Sequence, residues 1–114
     1  MMVNNIFKKI INKEIKSNIL YQDNILTAFE DINPKTPVHI LIVPNIFIKN
    51  TNYITQNNKY IFGEMFLLAK KLAKKFKINK TGYKLIINCG KNGGQEVKYL
   101  HMHLLGGVKI KSIV

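Results

Sequence analysis

Three histidines, one cysteine and six carboxylates are the groups in this 114-residue chain that stand out for chemistry. Two of the histidines stand two residues apart. In Gln95-Glu96-Val97-Lys98-Tyr99-Leu100-His101-Met102-His103-Leu104-Leu105-Gly106-Gly107, the side chains alternate in character from Tyr99 to Leu104, and a period of two predicts a half-buried strand. Tyr99, His101 and His103 then share one face, and Leu100, Met102 and Leu104 share the other. Three chemistries are open to such a pair. The imidazoles can be satisfied core residues. They can hold Zn²⁺, since same-face neighbours on a strand are about 6 to 7 Å apart at Cα, with His39 as a third ligand. Or a neutral ring nitrogen can act as a nucleophile. Just upstream, Asn88-Cys89-Gly90-Lys91-Asn92-Gly93-Gly94-Gln95 is a glycine-rich turn, and successive backbone N–H groups in such a turn can form an anion-binding nest. A nest beside two histidines points to a phosphate.

The elements that must position these groups follow from hydrophobic spacing. Ile6, Phe7, Ile10, Ile11 and Ile15 recur at helical intervals and predict a short amphipathic helix. Ile19 to Gln22 and Ile25 to Glu30 read as strands joined at Asp23-Asn24 by a two-residue hairpin turn. Asp31-Ile32-Asn33-Pro34 breaks the second strand, and an Asp beside a proline loop closes turns with its carboxylate. Pro37 to Val43 is a further strand, apolar throughout except at His39, as a central strand covered on both faces can be. Asn45 to Tyr53 reads as loop or a short turn of helix. From about Thr55 to Lys77 the period is helical: Ile61, Met65, Leu68, Leu72 and Phe76 form a stripe that Phe62, Phe66, Ala69 and Ala73 widen, with lysines gathered near the C-terminal end. Tyr83 to Asn88 is a strand that delivers Asn88 to the glycine turn. The sum is an α+β fold of five strands, one long helix and one short one, with the long helix on one sheet face. One domain accounts for residues 1–114.

Bulk composition narrows the function classes. Apolar residues make up 46% of the chain, as in ordinary globular proteins. A single Cys forms no internal disulfide and no paired-Cys metal or redox motif, which suits a reducing compartment. The net charge of +12 comes with 18 Lys and no Arg, although Arg is the preferred fork for phosphates and base edges. Eighteen Ile, 18 Lys and 14 Asn, all with A/T-rich codons, point to genome composition rather than a dedicated nucleic-acid surface. A basic amphipathic helix can lie on a membrane, but so wide a stripe fits the core of a small domain, and no apolar run matches a leader or a span. The expected location is cytoplasmic.

Gly93 to Gly107 resembles the signature of the histidine triad superfamily, and is most similar to the bacterial members of its Hint branch of nucleoside phosphoramidases. The likeness extends to Ile6–Ile15, Ala28–Pro34 and Pro37–Pro44 and covers about residues 6 to 107. It departs at Tyr99, where the family has the first His of its triad, and in the short tail from Val108. The resemblance implies an antiparallel sheet that pairs into a ten-stranded sheet across a homodimer. It also implies a purine nucleotide substrate, a nucleoside 5′-phosphoramidate cleaved through a nucleotidyl-histidine to the monophosphate, with no metal or cofactor. His101 would attack, its other ring nitrogen held by a backbone carbonyl. His103 and His39 would stabilise the phosphoryl oxygens with Gln95 and the N–H groups around Gly94 and Val97. Asp31 would accept from the ribose hydroxyls, Asn88 would bind the nucleotide, Ile6 and Phe7 would enclose the base, and Glu96 would lie near the departing group. Tyr99 implies slower turnover. The alternatives are a nucleotide-binding protein without catalysis and a three-His zinc protein.

Overall fold

Period-two alternation assigns each strand residue to one of two environments. In the computed structural model, which describes residues 5–111, five strands run β1 (Ile19–Gln22), β2 (Leu26–Glu30), β3 (Val38–Pro44), β4 (Tyr83–Ile86) and β5 (Met102–Gly106). They form one sheet in the order β1-β2-β3-β5-β4 with every pairing antiparallel. Expectations that rest on residues 1–4 and 112–114, the lack of a leader and the end of the tail, lie outside the described residues. Leu26, Ala28, Ile40, Ile42, Met102 and Leu104 face one way, into a core shared with Ile61, Met65, Leu68, Ala69, Leu72 and Ala73 of helix α2 (Tyr60–Lys75). Phe29, Leu41, Val43 and Tyr99 face the other way and pack with Phe7 and Ile10 of helix α1 (Asn5–Ile11).

Several element ends differ from the sequence expectation, each for a local reason. α1 stops at Ile11 rather than reaching Ile15, because Lys13 takes a left-handed conformation (φ 60°) and the Lys13 and Glu14 N–H groups bond back to Ile10 O and Lys9 O. The β1–β2 turn centres on Asn24-Ile25, one residue later than expected. Neither Asp23 nor Asn24 uses positive φ; the Asp23 carboxylate instead accepts the N–H groups of Ile25 and Leu26 at 2.7 and 2.8 Å. α2 is shorter than 55–77: Thr55 and Asn58 exchange hydrogen bonds in the turn before it, and Lys77 at φ 61° ends it. Phe66 lies off the buried stripe and is 53% exposed. A single 3-10 turn occupies Thr51–Tyr53. β4 ends at Ile86, two residues before Asn88, and β5 begins at Met102, three residues after Tyr99. Among the described residues no helix is long and apolar enough to cross a membrane.

Candidate active site

His39 and His103 reach the same face from two adjacent strands. β3 and β5 pair in the register His39↔Leu105 and Leu41↔His103, so the two histidines are diagonal neighbours within reach of each other's rings. His39 Nε2 and His103 Nδ1 lie 2.9 Å apart. The protons in this pair follow from the backbone. The Lys35 N–H donates to His39 Nδ1 at 3.0 Å, so that nitrogen is the acceptor and Nε2 carries the hydrogen. His39 Nε2–H then donates to His103 Nδ1, with the Asp31 carboxylate 3.4 Å from the same nitrogen. His103 is left with its proton on Nε2. That edge is a donor.

His101 has the opposite arrangement. Its Nδ1 lies 2.7 Å from the Tyr99 carbonyl, which only accepts, so Nδ1 is protonated and Nε2 holds a lone pair. Among the described residues Nε2 has no hydrogen-bond partner, yet no buried side-chain nitrogen is left unsatisfied. Nε2 therefore opens onto the cavity beside it. The His101 and His103 rings meet edge to face at 4.9 Å, which places a bare nitrogen and an N–H donor side by side. Burial pushes the pKa of His101 below the usual histidine value, against the Tyr99 carbonyl and the Asp31 and Glu96 carboxylates, which favour the proton. Burial is also the first cause for His39, and it takes His103 down to about 4, helped by the two neighbouring imidazoles. All three are neutral at pH 7.

The cavity has a volume of about 530 Å³. Of the residues singled out in the sequence, Ile6, Phe7, Asp31, His39, Asn88, Gly94, Glu96, Val97, His101 and His103 all line it. Gln95 does not. Its Nε2 donates to Lys49 O and Val97 O at 2.9 and 3.0 Å, and its Oε1 accepts the Gly90 N–H at 2.9 Å, so both donor hydrogens are used in bracing the loop. The glycine turn is likewise not the nest expected from sequence. The N–H groups of Gly93, Gly94 and Gln95 bond to Gly90 O and Lys91 O within the turn, and Asn88 Nδ2 holds Gly93 O at 2.7 Å. Further on, the N–H groups of Glu96, Val97 and Lys98 have no partner among the described residues, and within the turn neither do those of Lys91 and Asn92.

Three imidazoles do not converge on a metal. The ligand atoms that gather within 4.8 Å are those of Asp31, His39 and His103, without His101. His39 Nε2 and His103 Nδ1 are 2.9 Å apart, closer than the roughly 3.3 Å that two nitrogens at 2.0–2.1 Å from a tetrahedral Zn²⁺ would keep, and a proton already lies between them. Sequence reasoning missed the rest of the lining, notably Lys16, Ser17, Glu30, Ile32, Asn33 and Lys35. The part of Lys35 that matters is its backbone N–H, which no side-chain pattern reports.

A model of the HIT domain family matches residues 12–110. An uncharacterized HIT-like protein of Buchnera aphidicola (subsp. Acyrthosiphon pisum) is 60% identical over 112 residues, covering 98% of each chain. A purine nucleoside phosphoramidase of Escherichia coli is 50% identical over 102 residues, covering 90% of this chain and 86% of that one. Among solved structures, a HIT family hydrolase from Clostridium thermocellum superposes with a TM-score of 0.92 at 43% identity, covering 96% of this chain and 95% of the other.

Proposed function

The chain belongs to the HIT domain family, and on that premise we propose that it is a nucleotide hydrolase that cleaves purine nucleoside 5′-phosphoramidates to the nucleoside monophosphate. The observation that carries this reading is the opposed protonation of two adjacent rings: His101 offers a lone pair at Nε2 while His103 offers a proton at Nε2. A phosphoryl centre needs both, a nucleophile for phosphorus and donors for its oxygens. The likeness to a purine nucleoside phosphoramidase supports the substrate class.

In this reading His101 Nε2 attacks the α-phosphorus. The P–N bond breaks, the amine nitrogen takes a proton from solvent as it departs past Glu96, and a nucleotidyl-histidine forms; the water of the next step returns a proton to solvent. The charge that gathers on the phosphoryl oxygens meets His103 Nε2–H and the N–H groups of Glu96 and Val97, two residues that line the cavity and whose N–H groups have no partner among the described residues. His39 holds His103 in its donor tautomer, with Asp31 behind it. Water then attacks phosphorus, and His101 leaves with its lone pair restored. Asp31 Oδ1 accepts the Asn33 N–H at 2.8 Å, and its remaining lone pair serves a ribose hydroxyl. Ile6 and Phe7 offer apolar surface to the base, and Asn88 shapes the wall beside Gly94. No step calls for a metal or cofactor.

With Tyr99 in place of the usual first His, turnover is slower than in relatives that keep it. The chain acts in the cytoplasm as a homodimer whose sheets join edge to edge. Support for the pairing comes from β4, an edge strand bonded only to β5, and from α2, which carries Tyr60, Phe66 and Leu67 exposed. The test is release of AMP from adenosine 5′-phosphoramidate by chelator-treated protein beside His101→Ala. The parent releases AMP, and the variant is slower by at least about 10². An inactive parent that still binds AMP tightly would leave a nucleotide-binding protein, and failure to bind AMP would sink this use of the cavity.

A further inference from the structure

The backbone that supports the nucleophile lies outside the sheet. β5 begins at Met102, so no strand ladder fixes the peptide planes of Tyr99 and Leu100. Three bonds to the segment after β3 take its place: Gln95 Nε2 to Lys49 O at 2.9 Å, Leu100 N–H to Ile48 O at 2.7 Å, and the Tyr99 hydroxyl to Pro44 O at 2.6 Å. The Leu100 N–H shares a peptide plane with the Tyr99 carbonyl that receives His101 Nδ1–H, and the hydroxyl bond is the tie made by the Tyr99 side chain itself. The hydroxyl sits where the chain turns away from β3, with Asn45 O at 3.2 Å and Ile46 O at 3.4 Å on either side. Lys8 of α1 donates to the same Asn45 carbonyl. The Tyr99 ring is 1% exposed and packs edge to face on Phe7 at 5.7 Å and Phe47 at 5.3 Å, and Phe7 in turn packs on His101 at 5.1 Å.

We propose that Tyr99 is a positioning residue for His101: its hydroxyl, tied to the carbonyl end of β3, holds the Tyr99 carbonyl that selects the Nδ1–H tautomer and leaves Nε2 bare. Any residue at 99 has a carbonyl. What the phenol adds is reach, enough to cross from the catalytic segment to Pro44 and give the plane that Leu100 N–H holds a second tie. Burial also pushes its ionisation upward, so the anchor stays neutral and donating wherever the imidazoles titrate. Its kinetic consequence rests on the hydrolase reading, whereas the tautomer is a property of the folded chain.

The experiment is ¹⁵N NMR of histidine-labelled parent, Tyr99→Phe and Tyr99→His proteins, with AMP release measured on the same samples. In the parent, His101 shows a protonated Nδ1 and a bare Nε2. Tyr99→Phe keeps the ring and its packing but loses the donor; its His101 samples both tautomers, and kcat falls about tenfold with KM within about twofold. Tyr99→His carries a donor on a shorter side chain that does not reach Pro44 O, so it shows the mixed tautomers of the Phe variant. A Phe variant with the parental tautomer and kcat would overturn the proposal. So would a folded His variant with the parental tautomer and kcat, because the reach to Pro44 would then not be what fixes His101. If the parent releases no AMP, the hydrolase reading fails and the tautomer spectra still decide the role of Tyr99.

Discussion

Met102 and His103 are neighbours in β5 and occupy different media. Met102 is fully buried beneath α2, in a cluster that contains no polar side chain. His103 faces the other way, toward His101, the paired His39 and a cavity of about 530 Å³. The difference comes from the helices. α2 has 16 residues and packs along its face of the sheet, leaving a groove beside Tyr21, Leu68 and Tyr83, while α1 has seven and covers only part of the other. The uncovered part is where the histidines lie, dry enough that burial lowers their pKa values and open enough that two Nε2 atoms meet a ligand. The same strands thus carry stability on one side and chemistry on the other. The two should respond to different changes.

Leu104→Ala is the strongest way to break that separation. Leu104 is fully buried, pairs across from Ile40 and Leu85, and shares a strand with His103 while facing away from it. Removing it should cost about 2–5 kcal/mol of unfolding free energy in denaturant titrations, with kcat per folded molecule within about threefold of the parent. A kcat loss comparable to that of His101→Ala would show that the faces are not separable. Gln95→Ala acts on the site side and more gently. It deletes three hydrogen bonds that hold the glycine loop against Lys49 and Val97, so hydrogen exchange at Gly90 should quicken by an amount corresponding to about 1–3 kcal/mol. KM should rise a few fold with little change in kcat. A kcat loss near 10² would place Gln95 on the reacting phosphoryl group instead of behind the loop.

Much of this comparison was legible in the residues, and the failures share a cause. Period-two alternation assigned His101 and His103 to one face and Met102 and Leu104 to the other, and helical spacing found Ile61, Met65, Leu68 and Leu72. Those signals come from burial, which acts on every residue of an element. The misassigned groups depend on single hydrogen bonds. Gln95 looked like a donor for a ligand because the sequence cannot show that its amide is spent on Lys49, Val97 and Gly90. The glycine turn looked like a nest, but the N–H groups of Gly93, Gly94 and Gln95 close on Gly90 and Lys91. Nor does a pattern of side chains reveal that the Lys35 backbone sets the tautomer of His39. The resemblance supplied Asp31 and Asn88, which composition and spacing alone left as turn residues.

The smallest effect is also the one that separates the faces most cleanly. Each of the three histidines binds its proton less readily in the folded chain than in the unfolded one, where the reference value is 6.5. Between the folded and unfolded values the unfolded chain holds more protons, so stability is complete above pH 6.5 and declines as the pH falls toward about 4, the folded value of His103. The decline is modest, because the open cavity lets solvent screen the charge that forms. Denaturation midpoints measured across that window should rise with pH in the parent and rise less steeply in His103→Gln, which keeps a polar group without the titration. Leu104→Ala should instead lower the whole curve and leave its slope alone, since nothing in the α2 core titrates. A slope that changed in the Leu104 variant and not in the His103 variant would mean that the pH dependence originates away from the cavity.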